Sequence, residues 1–128
     1  MKQMKYMNKR LKKPIILNSG FYRGYEYYIL SLGTHPTAYV AVEEDNILYG
    51  RNYNEININC HGGLTYSEDH LMDFITNKWV LGWDYAHYND FMGMYPLEQQ
   101  DEFKKWTTSE IFKEVKFVVH QIMLKNRK

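Results

Sequence analysis

The sequence predicts an α+β domain: a small, mainly antiparallel sheet of three or four strands packed against a long C-terminal helix. Three observations carry this reading. Aromatic and apolar residues dominate 25–31 and again 37–42, with the turn-forming Gly33-Thr34-His35-Pro36 between them. Strict alternation follows over 55–60, and 78–84 reads as another strand. Last, an apolar stripe of Ile111, Phe112, Val115, Val118, Val119, Ile122 and Met123 recurs at helical spacing near the C-terminus.

Residues 1–13 form a basic arm in which Met1, Met4, Met7 and Leu11 allow one weak amphipathic turn, which Pro14 disfavours continuing. Residues 14–128 form a single α+β domain, with regular structure expected from about residue 21, after Asn18-Ser19-Gly20. In the first strand Tyr25, Tyr27 and Ile29 share one face and Glu26, Tyr28 and Leu30 the other. The short connector to Thr37–Val42 makes an antiparallel hairpin the economical arrangement. Ile47 to Asn54 has no clear period and is expected to cross the surface.

Glu55–Cys60 alternates strictly, with Ile56, Ile58 and Cys60 on one side and Asn57 and Asn59 on the other, as a strand would. Residues 65–77 are open to two readings, a short helix starting at Ser67-Glu68-Asp69 or a loop around a site. Lys78 to Asp84 reads as a strand with Trp79, Leu81 and Trp83 on one face. Glu98 to Trp106 is expected to form a short acidic helix. Thr107 followed by Glu110 matches a capping box and starts the final helix over 108–125, about 27 Å long.

The 128 residues suffice for one core, and 45% hydrophobic content makes that core substantial. Cys60 is the only cysteine, so an intrachain disulfide and a multi-cysteine zinc site are excluded. No run is apolar enough for a membrane helix or a signal peptide, and a cytoplasmic location is expected. Charge is segregated. Residues 1–25 hold seven Lys or Arg and no acid, whereas residues 43–103 hold twelve acids against Arg51 and Lys78. The arm can steer a polyanion, remain solvated, or pair with the acidic body of a second chain in a homo-oligomer. The broad basic face of a duplex-binding protein is missing, so nucleic acid is not the favoured partner.

Two segments concentrate chemistry. Cys60-His61-Gly62-Gly63 follows the alternating 55–60 segment, and its glycines permit a tight turn and close approach of the backbone to a ligand. Trp83-Asp84-Tyr85-Ala86-His87-Tyr88-Asn89-Asp90 places Asp84, His87 and Asp90 three residues apart. Carboxylates beside imidazoles suit general acid–base chemistry, so His61, Asp84, His87 and Asp90 are the candidate catalytic residues. Asp84, His87 and Asp90 are equally the candidate ligands for a divalent metal. Gly62, Gly63, Tyr85 and Tyr88 are the candidate ligand-contacting residues, and no cofactor is specified. Adjacent strand residues point to opposite faces, which argues against a Cys60–His61 catalytic pair. His35, His70 and His120 read as ordinary turn and helix-flank residues.

His61-Gly62-Gly63-Leu64-Thr65-Tyr66, with Gly82-Trp83-Asp84, Ala86-His87, Asp90 and Trp106-Thr107, resembles the two-part pattern of an uncharacterised family of small phage and prophage proteins. The likeness covers roughly residues 36–120, and position 83 is Trp where that family carries Phe. It implies expression inside an infected or lysogenic bacterial cell and an accessory role directed at a host process. Three functions follow as expectations: a small polar ligand pocket, a metal-assisted hydrolase, or a non-catalytic module that binds a host protein.

Overall fold

The computed structural model describes residues 13–87, 90 and 104–127. Most of the basic arm, Tyr88, the loop around Gly93 and the acidic segment 98–103 lie outside the described residues. A five-stranded sheet, one strand more than the upper expectation, packs against the C-terminal helix. Its strands are β1 (Ile15–Tyr22), β2 (Tyr25–Ser31), β3 (Pro36–Val42), β4 (Tyr66–Glu68) and β5 (Trp79–Asp84), in the spatial order β1-β2-β3-β5-β4. Every neighbouring pair is antiparallel.

The β1–β2 connection is two residues long because Arg23 and Gly24 both take positive φ (54° and 84°), the backbone that matches the twist of a hairpin. The strand therefore begins at Ile15, earlier than the Asn18-Ser19-Gly20 stretch suggests. β1 is an edge strand, so its polar residues need not enter a core, and Asn18 Oδ1 accepts from the Tyr27 hydroxyl (3.4 Å). A register shift between Ile16 and Asn18 absorbs the irregular pattern. β2 and β3 form the expected hairpin, with Ser31 opposite Pro36.

The alternation over 55–60 is real, but no ladder forms there. Ile58 is buried and Asn57 and Asn59 are exposed, as the pattern requires. The backbone partner is instead a helix side chain: Gln121 Oε1 accepts from Asn59 N (2.7 Å) and Gln121 Nε2 donates to Asn59 O (2.8 Å). One primary amide thus does for the segment what a neighbouring strand would do. Ser67-Glu68 likewise lies in a strand rather than a helix start, because β4 pairs with the outer edge of β5.

The helix, α1 (Thr108–Lys125), has both bonds of the capping box: Glu110 N donates to Thr107 Oγ1 (3.1 Å) and Thr107 N to Glu110 Oε1 (3.0 Å). Lys104 Nζ also reaches Glu110 Oε2 (2.7 Å), and this contact with the Thr107 backbone bond holds the Glu110 carboxyl below its usual range. Thr107→Ala is expected to cost about 1 kcal/mol in a urea titration, with the helical signal of the folded state retained.

Ile111, Val115, Val118, Val119 and Ile122 of α1 are fully buried against Tyr27, Ile29, Ala38, Val40, Leu81 and Trp83 of the sheet. The opposite face carries a second cluster, Leu30, Tyr39, Ala41 and Val80, covered by Leu71 and Ile75 from the β4–β5 connection. The sheet is therefore apolar on both faces, which explains why β3 is buried along its whole length. Among the described residues no helix is long and apolar enough to cross a membrane.

Candidate functional site around His61 and Asp90

Where β5 ends, the chain continues along β3: Tyr85 N donates to Pro36 O (3.1 Å). This carries Tyr85 under the start of α1, where its side chain is fully buried. Its hydroxyl accepts from Trp83 Nε1 (3.0 Å) and donates to Glu114 Oε1 (2.5 Å). Burial, then the bond to Glu114, pushes the phenol far above its ordinary pKa, so Tyr85 acts as a neutral hydrogen-bond donor.

Glu114 has a second task. Its other oxygen accepts from His61 N (3.0 Å) and so anchors the turn over 60–63 to the helix. That turn is closed by Gly63 N donating to Cys60 O (2.9 Å), with Gly62 and Gly63 at φ 71° and 81°. Cys60 packs against the core, and its thiol is pushed up to about 12 by burial and then by the Glu114 charge. It is a thiol, not a thiolate nucleophile, at neutral pH.

The turn lays the His61 ring flat on Tyr85, with centroids 4.7 Å apart and planes within 10°. Trp106, just before α1, meets the same imidazole edge-on at 4.9 Å, and His87 does so at 5.5 Å. Asp90 organises the cluster. Its carboxylate is 2% exposed and accepts three hydrogen bonds: His61 Nε2 (2.6 Å) and His87 N (3.0 Å) to Oδ2, and Trp106 Nε1 (2.8 Å) to Oδ1. Two of these donors are N–H groups with no alternative role, so the carboxylate is the acceptor and the proton of His61 sits on Nε2. His61 Nδ1 makes no hydrogen bond among the described residues, and the side chain is 23% exposed.

The backbone of His87 belongs to the Asp90 cluster, whereas its ring nitrogen Nε2 lies beside Asp84. Its Nε2 is 3.1 Å from Asp84 Oδ1 without the alignment of a hydrogen bond, and it is buried. Asp84 instead accepts from Ala86 N (3.1 Å) and from the Thr65 hydroxyl (3.2 Å). The structure thus gathers His61, Tyr85, His87 and Asp90, and joins Asp84 to them only through His87. Asp84, His87 and Asp90 do not converge as metal ligands. Among the described residues the one trio of His, Cys, Asp or Glu with ligand atoms within 4.8 Å of one another is the exposed Glu68, Asp69 and His70. Each carboxylate is engaged elsewhere, Asp90 by His61, the His87 backbone and Trp106, and Asp84 by Ala86 N and Thr65.

Gly62 is required by the site's packing. A Cβ there would fall 2.0 Å from His87 Nε2, on a backbone already at φ 71°. Gly63, by contrast, faces open space. Gly62→Ala is expected to displace the His87 ring and cost about 1–3 kcal/mol, read by denaturation and by the His87 ring resonances. Gly63→Ala is strained only through its φ of 81° and should leave those resonances in place.

Glu114 is the participant that the sequence does not mark: it flanks the apolar stripe of α1, and nothing in its spacing ties it to residues 60–90. Trp106 falls within the resemblance to the phage pattern, but no residue-level argument assigns it a partner. The remaining histidines fit their simpler reading: His70 bonds Asp69 (2.9 Å) at the surface, His120 meets the Tyr22 hydroxyl (2.9 Å), and His35 pairs with the Thr34 hydroxyl (2.9 Å). Of these His35, in the turn before β3, is buried at 6% exposure.

Comparison with known proteins returns no family model, no curated protein and no solved structure that matches this chain.

Proposed function

We propose that the protein is a phage or prophage accessory protein whose His61 site receives a small polar ligand and exchanges a proton or hydrogen bond with it through Nδ1. The observation that carries this reading is the buried Asp90 carboxylate fixed on His61 Nε2 at 2.6 Å. A carboxylate on one ring nitrogen sets the tautomer, orients the ring and stabilises the imidazolium formed when the other nitrogen takes a proton. The stacked Tyr85 and edge-on Trp106 hold that ring without offering a competing charge. The phage context rests on the resemblance of residues 61–66, 82–84, 86–87 and 90 to the two-part pattern of small phage and prophage proteins.

A hydrolase using Asp84, His87 and Asp90 as metal ligands is less well supported, since those ligand atoms do not converge. The Cys60 thiol, raised to about 12, is no better as a nucleophile.

The test is ¹⁵N NMR of the His61 ring during a screen of nucleotides, amino acids and sugar phosphates. The expected result is an Nε2-protonated ring in the free protein and a ligand that shifts His61 Nδ1. His61→Ala should abolish the binding while the fold is retained. A ligand that binds equally to His61→Ala, or a ring protonated on Nδ1 in the free protein, overturns the reading.

A further inference from the structure

Two buried side-chain polar atoms of the described residues have no hydrogen-bond partner, Thr37 Oγ1 and His87 Nε2. Both flank one carboxylate. Thr37 is the direct cross-strand neighbour of Asp84, and His87 Nε2 lies 3.1 Å from Asp84 Oδ1. An unpaired hydroxyl in a core costs free energy, and its usual explanation is a missing partner.

A space for that partner exists. Thr37, Asp84, Thr65, His35, Tyr39 and Tyr66 line a half-open cavity of about 180 Å³. Thr37 is 4% exposed and shares strand parity with Tyr39, so it belongs to the sheet face opposite α1. The cavity therefore opens on the face away from the His61 cluster, although Asp84 and Trp83 border both.

We propose that this cavity binds a small organic cation, a primary ammonium or guanidinium group, with Asp84 as its counter-ion. Asp84 is the only residue in the lining that carries formal charge when the imidazole is neutral, and no Lys or Arg lines the cavity. Its two oxygens accept one protein donor each, from Ala86 N and Thr65 Oγ1, out of about four lone-pair sites. The Thr37 hydroxyl offers a further acceptor beside them. Tyr39 and Tyr66, edge to face at 5.3 Å, supply aromatic wall of the kind that favours cations. An anion would meet the carboxylate with no Lys or Arg in the lining to offset it. The volume falls below the roughly 300 Å³ of ordinary small-molecule sites and suits a head group of a few heavy atoms. Such a group is available either as a free amine or as the end of a Lys or Arg side chain.

Titration of ¹⁵N-labelled full-length protein at constant ionic strength tests this, with methylammonium chloride and N-acetyl-lysine methylamide as probes and glycerol and sodium phosphate as controls. Both cations are expected to give saturable shifts at the Thr37, Thr65 and Asp84 amides, at least about tenfold weaker in Asp84→Asn because a charge-assisted bond is lost. Thr37→Val should weaken binding while holding or raising the thermal midpoint, since it deletes a buried hydroxyl that has no protein partner. Stronger binding of the lysine derivative identifies a side chain of a protein partner as the source, and equal binding identifies a free amine. His61→Ala leaves all of these shifts in place, which separates this cavity from the His61 site. Equal response to glycerol, undiminished binding to Asp84→Asn, or the absence of any saturable shift with either cation overturns the proposal.

Discussion

Val115→Asp is expected to leave the chain without a cooperative thermal transition. Val115 is fully buried at the middle of α1, between Ile111 and Val118-Val119, in the cluster that also holds Ile29, Val40 and Leu81. Its neighbours in that cluster are apolar and aromatic side chains, so an aspartate there either stays ionised in an apolar layer or takes up a proton and remains a polar group in apolar surroundings. A loss of about 4 kcal/mol or more is expected, a large part of the roughly 5–15 kcal/mol that holds a domain folded. Circular dichroism melts of Val115→Asp beside Lys113→Asp make the comparison, because Lys113 is exposed on the same helix. A Val115→Asp protein that melts cooperatively near the parent's midpoint would contradict the packing of α1 on the sheet.

That packing was readable in advance because two independent periods agree on it. The 3.6-residue stripe from Ile111 to Ile122 needs an apolar partner, and the two-residue alternation in Tyr27, Ile29, Val40, Leu81 and Trp83 supplies one. Where local pattern and final pairing diverge, the cause lies in the third dimension. Ile56 and Ile58 alternate as a strand does, yet Gln121, more than sixty residues later in the chain, takes the place of the neighbouring strand. Asn18-Ser19-Gly20 reads as a break in the chain until it is placed at the sheet edge, where one side of the ladder needs no partner.

The site divides in the same way. His61 and His87 meet because the turn over 60–63 and the end of β5 both dock beside Glu114 and Tyr85, which follows from the order β3-β5 and the position of the helix above it. Their residue types alone marked them as candidates. What the spacing of Asp84, His87 and Asp90 could not reveal is that the two carboxylates part company, one toward Thr65 and the other toward Trp106. Three-residue spacing describes one face of a helix, and Asp84 is the last residue of a strand.

Asp90→Asn gives the sharpest separation between a carboxylate that orients His61 and one that merely fastens a loop. Today Oδ2 accepts two N–H groups and Oδ1 accepts a third. An amide keeps one oxygen and turns the other position into a donor. If the oxygen stays with Trp106, the amide nitrogen faces His87 N–H, a clash of donors, and His61 Nε2 can stay paired only by giving up its proton and accepting. If the amide is reversed, Trp106 Nε1 loses its acceptor instead. Either way at least one buried donor is orphaned, and a loss of about 2–4 kcal/mol in a urea titration is expected. Trp106→Phe keeps an aromatic ring but leaves the buried Asp90 Oδ1 without its donor, so it should cost about 1–3 kcal/mol while leaving the His61 tautomer unchanged. In Asp90→Asn with the amide oxygen on Trp106, the His61 proton should move from Nε2 to Nδ1, reversing the nitrogen offered to a ligand. Full ligand affinity in Asp90→Asn, alongside a moved proton, would show that the carboxylate serves the loop and not the imidazole. Lost affinity with the transition still cooperative would show that Asp90 works by setting which ring nitrogen is bare.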